Sequence, residues 1–229
     1  PRRACRESRR ACREIQRRRR HRSKRPADAV SVAALYVDPV GGPYVAILGA
    51  DQCYGIERDA TLYAGPGPII AHPPCKPWGR LSWSWANKNA RDGLDRSAER
   101  ACAPRAVEQV RAHGGVLEHP EGSALWKHCR LPAPRPLAEL CAALFPIREF
   151  TIRIDQCDFG FPARKTTRLF FSGVDPRDLP PMPPPGTPTH CIGTARKDRG
   201  GRGCLPKTMR HITTPALAEW LRAAVEAAV

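Results

Sequence analysis

Short apolar runs separated by turn-forming residues dominate the first part of the chain. Between residues 28 and 71 this pattern predicts four strands, over residues 32–37, 44–48, 54–59 and 68–71. The cluster of Asp, Pro and Gly at residues 38–43 separates the first two runs, which is typical of a hairpin turn.

The rest of the chain alternates between helix-like and strand-like patterns. Helices are predicted over residues 97–112 and 137–144, and strands over 116–118, 152–154 and 168–172, the last two as an antiparallel pair. Residues 175–206 are rich in proline and glycine, which predicts irregular structure. An amphipathic helix is predicted over residues 214–229, with Pro215 in its first turn. Alternating strands and helices favour an α/β fold with a layered sheet.

Positive charge is concentrated near the start of the sequence. The 229 residues carry a net charge of +16, but residues 1–26 hold 13 Arg and Lys with two Glu, which leaves +5 for the rest. Arg-Arg-Ala-Cys-Arg-Glu occurs at 2–7 and again at 9–14, and could form a short basic helix on a polyanion. We expect instead a disordered basic tail over residues 1–27, which adds sequence-independent affinity for phosphates, or sequence upstream of the true start.

The cysteine and apolar patterns bear on compartment and metal binding. Ten cysteines occur at irregular spacing, and no Cys-x-x-Cys pair is present. A zinc site is disfavoured, since His72/Cys75 and His128/Cys129 lack partner pairs at finger spacing, and we expect no metal. The sequence shows no secretory signal and no apolar run of membrane-spanning length. We therefore expect reduced thiols and a cytoplasmic protein, in a bacterial host or encoded by a phage.

The segment His72-Pro73-Pro74-Cys75 follows an apolar run and carries the first candidate chemistry. Proline fixes φ and has no backbone N–H, so the segment predicts a strand that ends in a stiff loop presenting a thiol. In open α/β sheets, ligands bind at such carboxyl ends of strands. Cys75 is a nucleophile if its thiolate is stabilised. The alternative is a buried structural cysteine in a proline-rich turn.

Two later segments share this arrangement and complete a family pattern. Glu118-His119-Pro120 ends a predicted strand, and Phe159-Gly160-Phe161-Pro162-Ala163-Arg164-Lys165-Thr166-Thr167 precedes another. With the Pro-Pro-Cys loop, they resemble the DNA cytosine-5 methyltransferases across residues 65–175, most of all the short divergent versions common in phages. Residues 213–221 resemble the last helix of that family. The resemblance implies a reduced, Rossmann-like methyltransferase sheet.

This resemblance implies a domain organisation. A catalytic domain would span residues 28–174, and a reduced recognition region, rich in Pro and Gly and basic late, would span residues 175–210. The C-terminal helix within residues 211–229 would pack on the catalytic domain.

The resemblance also implies covalent chemistry on a cytosine flipped out of DNA. Cys75 stands where a thiolate adds to C6, which makes C5 able to attack the methyl group of S-adenosylmethionine. Glu118 stands where a carboxyl group engages N3 and the exocyclic amine. That role requires Glu118 to be protonated or to share a proton with N3, and a buried, dry pocket would favour this. The alternative for Glu118 is a strand-end acid at the surface. Arg164 falls in a basic loop that would meet the base or its neighbouring phosphates.

The part of the sequence that would bind S-adenosylmethionine departs from the family pattern. Family members have a Phe-x-Gly-x-Gly loop, then a helix, then an acidic strand end that holds the ribose. Here Asp38, Gly41 and Gly42 stand at the loop and Glu57 at the acidic position, with Pro73 expected beside the ligand. Only fourteen residues separate Gly42 from Glu57, so we expect a shallow pocket and weak binding.

DNA contacts are expected from residues around these motifs: Lys76, Trp78, Arg80, Lys165 and Arg168. Trp78 could stack on a base or cap the core, and the cations could form an ordinary solvated face. Three functions stay open: a DNA cytosine-5 methyltransferase, a base-modifying enzyme with another donor, and an inactive methyltransferase-like protein that binds DNA.

Overall fold

The computed structural model describes residues 31–192 and 201–227, so the predicted tail lies outside the described residues. The described strands are β1 (Ala33–Leu35), β2 (Cys53–Tyr54), β3 (Ile69–Ala71), β4 (Gly115–Pro120), β5 (Glu149–Asp155) and β6 (Thr166–Ser172). The described α-helices are α1 (Pro43–Leu48), α2 (Ser82–Arg91), α3 (Ser97–His113), α4 (Leu125–His128), α5 (Leu137–Cys141) and α6 (Pro215–Glu226). Together they form the mixed α/β fold that the alternating pattern predicts.

The strands form one mixed sheet in the order β2-β1-β3-β4-β6-β5. The first four strands along the chain are parallel, and β6 runs antiparallel between β4 and β5. The chain passes from β1 to β2 on one side and later returns to β3 on the other, so the order reverses at β1. The carboxyl ends of β1, β3 and β4 therefore share one edge, with the reversal among them.

Alternate residues of the central strands pack into two separate cores, one on each face of the sheet. On one face, Ala34, Ile70 and Val116 pack with Tyr44 of α1 and Leu217 of α6. On the other, the side chains of Leu35, Ala71 and Leu117 meet the apolar stripe of α3, made of Ala103, Ala106, Val107 and Val110. Burial on both faces explains why these parallel strands are continuously apolar in the sequence.

The prediction of a strand and hairpin at residues 44–48 is wrong, because this segment is helix α1. Pro43 occupies the first turn, where its missing N–H costs nothing, and Gly49 ends the helix with a φ of 86°. Six residues with two β-branched side chains do not hold a helix alone. Burial of Tyr44 against the sheet, with partial burial of Val45 and Ile47, stabilises it instead.

Other elements differ less from the predictions. The third predicted strand is reduced to β2, because turns and a short 3₁₀ helix at Ala60–Leu62 follow it. The antiparallel pair β5–β6, helix α3 and the C-terminal helix α6, which is capped by Thr214, are confirmed. Helix α2 was not predicted, and none of its residues is buried. The expectation of reduced thiols is wrong for one pair, because Cys191 and Cys204 form a disulfide.

Gly115 should be intolerant of any side chain. Its φ is +119°, and a Cβ there would lie 2.0 Å from the backbone oxygen of Ile69 on the adjacent strand. We expect Gly115→Ala to lower the free energy of unfolding by about 3 kcal/mol or more, by strain and overpacking. Urea unfolding followed by circular dichroism measures this. Gly93→Ala is the matched control, since Gly93 also has a positive φ but open space around it, and should cost about 1–2 kcal/mol. Equal losses in the two variants would contradict the steric explanation.

Candidate active site

A cavity of about 600 Å³ opens at the shared carboxyl edge of β1, β3 and β4. One wall is the turn after β1 with the start of α1, and another is the loop after β3. Glu118 of β4 and Lys165 of the loop before β6 line it as well, with residues 210–213 at its rim. The cavity therefore lies at the reversal of strand order, where the topology predicts a ligand site.

Cys75 reaches this cavity because the strand ladder stops just before it. The N–H of His72 still donates to the Leu35 carbonyl at 3.0 Å, but Pro73 and Pro74 have no N–H to continue the pairing. Cys75 then begins a short 3₁₀ turn, Lys76–Trp78, and the N–H of Trp78 donates to its carbonyl at 3.1 Å. The sequence of strand and rigid loop thus presents the Cys75 thiol to the cavity.

The Cys75 thiol is protonated at neutral pH in this structure. Burial raises its pKa above the ordinary value, and the negative charge of Glu118 raises the pKa further. Lys165 and Lys76 lower this pKa but do not offset the two other effects. Nucleophilic use of Cys75 therefore requires a change in the charge around it.

Glu118 is nearly buried at the end of β4, with 9% of its surface exposed. Burial raises its pKa, but the hydrogen bond from His72 and the positive charge of Lys165 oppose this, and the net pKa is lowered to about 2. Without a bound base, Glu118 is therefore a carboxylate rather than a protonated acid, and the sharing of a proton with N3 stays a prediction. Its alternative interpretation as a surface acid is excluded by its burial.

A chain of hydrogen bonds holds this carboxylate. His72 Nδ1 lies 3.2 Å from Glu118 Oε2, and the Tyr44 hydroxyl lies 2.7 Å from His72 Nε2. On the other side, Gln156 Nε2 donates to Glu118 Oε1 and to Thr167 Oγ1, both at 3.0 Å. Sequence reasoning did not assign Tyr44 or Gln156, and only His72 carried a signal, by its place beside the Pro-Pro-Cys segment.

His119 follows Glu118 and points away from solvent. It is fully buried beside Trp126, with a ring separation of 6.2 Å. Neither ring nitrogen meets the geometric criteria for a hydrogen bond with a described residue. The Pro74 backbone is nevertheless near enough to raise the pKa of the ring. Burial lowers the pKa of His119 to about 4, against the opposing effects of Glu118 and Pro74. His119 is therefore neutral at pH 7.

Most residues expected around S-adenosylmethionine line the cavity, with one exception. Asp38, Gly41, Gly42 and Pro73 are at its wall. The Asp38 carboxylate accepts a hydrogen bond from the Val40 N–H at 2.9 Å, which shapes the turn. Glu57 is exposed and does not line the cavity, so the prediction that it would hold a ligand there is wrong. The shortened β2 explains this, because the chain turns away before Glu57.

The basic loop places Lys165 in the cavity rather than Arg164. Lys165 lines the wall and lies over the ring of Phe161. The Arg164 side chain is 67% exposed and pairs with Asp155 at 3.2 Å outside the cavity. Arg164 is therefore not placed to contact a base in this cavity, and its contact with neighbouring phosphates stays a prediction. Lys165 is the cation beside Glu118.

Trp78 belongs to the core, so the prediction that it stacks on DNA is wrong. Its ring is 2% exposed, its Nε1 donates to the Arg100 carbonyl at 3.0 Å, and the Arg100 guanidinium covers one face. Lys76 is exposed and near enough to Cys75 to affect its pKa.

Arg80 and Arg168 line a second, open cavity beside the first. Pro120 and the Glu121-Gly122 turn form its floor, and Pro120 also lines the first cavity. Arg168 Nη2 lies 3.8 Å from Glu121 Oε1. The two arginines therefore flank a groove that continues from the Cys75–Glu118 cavity.

Comparisons with known proteins leave the site to be interpreted from its own geometry. The chain matches no known family profile, no curated protein and no solved structure. Within the described residues, no cluster of three or more His, Cys, Asp or Glu is arranged to hold a metal ion. Nor does any described helix combine the length and apolar character needed to cross a membrane.

Burial of His119 should make the fold acid-sensitive. The pKa of His119 is about 4 in the fold, against about 6.5 for an unfolded histidine. As pH falls from 6.5 to 4, the unfolded chain binds a proton that the folded protein excludes, so stability drops by up to about 3 kcal/mol. Urea unfolding at a series of pH values measures this loss. His119→Asn should flatten the curve in this window, and an unchanged slope in the variant would contradict the assignment. The ionised Glu118 also stabilises the fold, but its contribution is lost in a lower pH range, as pH falls from 4.5 through its pKa of about 2.

Proposed function

We propose that this chain is a DNA cytosine-5 methyltransferase-like enzyme that transfers a methyl group from S-adenosylmethionine to a flipped cytosine. One observation carries the proposal: Cys75 and Glu118, which are separated in sequence, line one cavity at the carboxyl ends of adjacent parallel strands. The strand order with its reversal at β1 supports a Rossmann-like sheet of reduced size.

The cavity joins two halves that suit different ligands. The turn at Asp38, Gly41 and Gly42 gives a wall of backbone and one carboxylate, while Cys75, Glu118 and Lys165 line the other part. Its volume of about 600 Å³ is in the range of small-molecule sites. The glycine turn fits S-adenosylmethionine, but neither Glu57 nor Asp59, the acidic residues in the turn after β2, lines the cavity to hold the ribose. When bound, S-adenosylmethionine would supply an electrophilic methyl group.

Cys75 would act as the covalent nucleophile. Its sulfur would bond to C6 of the base, which places electron density on C5 for attack on the methyl group. C5 would take the methyl group as the bond between that methyl and the sulfonium sulfur breaks. Transfer of the C5 proton to water and cleavage of the sulfur–C6 bond would then restore the aromatic ring and release Cys75 as a thiolate. Because the thiol begins protonated, a proton must leave it before attack.

Glu118 would recognise the Watson–Crick edge of the cytosine. Its carboxylate can accept a hydrogen bond from the exocyclic amine and stabilise a proton on N3. Protonation of N3 withdraws electrons from C6 and so favours attack by sulfur. Lys165, on the same wall, would offset the negative charge of a nearby phosphate.

The neighbouring groove would bind the DNA backbone. Arg80 and Arg168 flank it, next to the opening where a flipped nucleotide would enter. Contacts of this kind position DNA without reading its sequence. The described part of the proposed recognition region follows these two arginines in sequence and includes the Cys191–Cys204 disulfide.

A catalytically inactive DNA-binding protein is the second candidate. The raised pKa of Cys75 favours it, because a protonated thiol is a poor nucleophile. The position of Glu57 outside the cavity favours it too, and equally favours an enzyme with a donor other than S-adenosylmethionine. Incubating the protein with labelled S-adenosylmethionine and mixed-sequence DNA, followed by mass spectrometry of the nucleosides, distinguishes these functions.

Cys75→Ala should abolish covalent capture of DNA. In the presence of S-adenosylmethionine, we expect the unaltered protein to form a stable adduct with DNA containing 5-fluorocytosine. After methyl transfer C5 carries fluorine in place of a proton, so the sulfur–C6 bond cannot be broken by elimination. Gel electrophoresis under denaturing conditions detects the adduct. The variant should show none, with a Tm within a few degrees of the parent, since Cys75 adds little packing. Cys129→Ala, also half-buried but absent from the cavity wall, is the matched control and should still form it. Adduct formation by Cys75→Ala would overturn the nucleophile assignment.

Binding of S-adenosylmethionine should be weak and should depend on Asp38 but not on Glu57. With the ribose acid missing, we expect a Kd on the order of tens of micromolar or weaker, near −6 kcal/mol. Isothermal titration calorimetry should show a further loss in Asp38→Ala and no change in Glu57→Ala. Tight binding that depends on Glu57 would show that the turn after β2 closes over the ligand and would contradict the placement seen here.

A further inference from the structure

His72 connects the two halves of the cavity through side-chain contacts. Its ring stands between Tyr44, in the first turn of α1, and Glu118, at the end of β4. The His72 and Glu118 side chains are each 11% exposed, and Tyr44 is 1% exposed. Tyr44 lies two residues after Gly42, so the contact joins the glycine turn of one half to the carboxylate of the other.

The hydrogen-bonding capacity of the partners fixes which nitrogen of His72 carries the proton. Glu118 is ionised and can only accept, so Nδ1 must donate to it. Burial, Glu118 and Cys53 raise the pKa of Tyr44, so its hydroxyl stays protonated. Among the described residues that hydroxyl has no hydrogen-bond partner other than His72 Nε2, and donation to a bare Nε2 gives both the hydroxyl and this nitrogen a partner. A ring with its proton on Nδ1 and a bare Nε2 meets these hydrogen-bonding conditions.

We propose that His72 is a positioning residue: Tyr44 holds its Nδ1–H tautomer, and that tautomer orients the Glu118 carboxylate toward the base and links it to the glycine turn. The role in base recognition rests on the proposed function, whereas the tautomer and the link rest on the hydrogen bonds alone. His72 does not itself touch the reacting atoms.

The arrangement restricts Glu118 in a defined way. His72 occupies Oε2 and Gln156 occupies Oε1, so the carboxylate cannot rotate without breaking a buried hydrogen bond. The other groups that act on its charge are Lys165, His119, Tyr44 and Cys75. Among the described side chains, His72 is the one that hydrogen-bonds both to Glu118 and to Tyr44 of α1.

Nitrogen-15 NMR of the histidine side chains in the full-length protein tests the tautomer without any ligand. At pH 7.5 the unaltered protein should show His72, assigned by its loss in His72→Asn, as a neutral ring protonated on Nδ1. Tyr44→Phe removes the donor to Nε2 while Glu118 still accepts from Nδ1–H, so the variant should show a larger fraction of rings protonated on both nitrogens. A ring protonated on Nε2, or on both nitrogens, in the unaltered protein would overturn the proposal.

Substitutions of His72 test the link to catalysis. In His72→Asn the amide nitrogen stands near the former Nδ1 and can still donate to Glu118, whereas His72→Ala cannot. With S-adenosylmethionine present, we expect the rate of adduct formation with 5-fluorocytosine DNA to fall at least tenfold more in His72→Ala than in His72→Asn. Equal rates in the two folded variants would overturn the positioning role. If the unaltered protein forms no adduct, the proposed function fails, and the NMR result still decides the tautomer.

Discussion

The need to satisfy one buried carboxylate organises the site. Glu118 stands at the end of β4, largely removed from water, and a charge so placed is costly unless it is paired and hydrogen-bonded. Its partners come from the loop after β3 and from the segment between β5 and β6. Those segments can meet at Glu118 only when β3 and β6 flank β4, as they do in this sheet. The buried charge of Glu118 therefore has its hydrogen-bond partners because of the strand order of the sheet.

The parts of the site that sequence could predict are those fixed by strand ends. An apolar run that stops at His72-Pro73-Pro74-Cys75, and another that stops at Glu118, place both residues at one edge of any parallel sheet in which these strands are neighbours. The β5–β6 pair was predictable for a similar reason, since alternation and an intervening turn are local signals. Local patterns thus sufficed for the placement of Cys75 and Glu118.

The parts that sequence could not predict depend on tertiary contacts. The segment Pro43–Leu48 has the composition of a strand, and only the packing of Tyr44 against the sheet makes it helical. Trp78 looks available for stacking beside its basic neighbours, but Arg100, which is distant in sequence, covers its ring. Glu57 was placed by family spacing, and the two-residue β2 removes it from the cavity. Each error has a non-local cause that a pattern does not carry.

In the proposed function, binding of the base at Glu118 would change the pKa of the Cys75 thiol, because the charge of Glu118 acts on that thiol. Burial and the Glu118 carboxylate both hold the pKa of Cys75 high, so attack needs a step that removes one of these effects. Pairing of Glu118 with a protonated N3 would neutralise the carboxylate and weaken its effect on the thiol, while leaving Lys165 and Lys76 to favour the thiolate. A bound sulfonium cation would act in the same direction, and an unscreened phosphate in the opposite one. Under the proposed function, this arrangement would favour an order in which the correct base, rather than DNA as such, activates Cys75, because the base would be the group that pairs with Glu118.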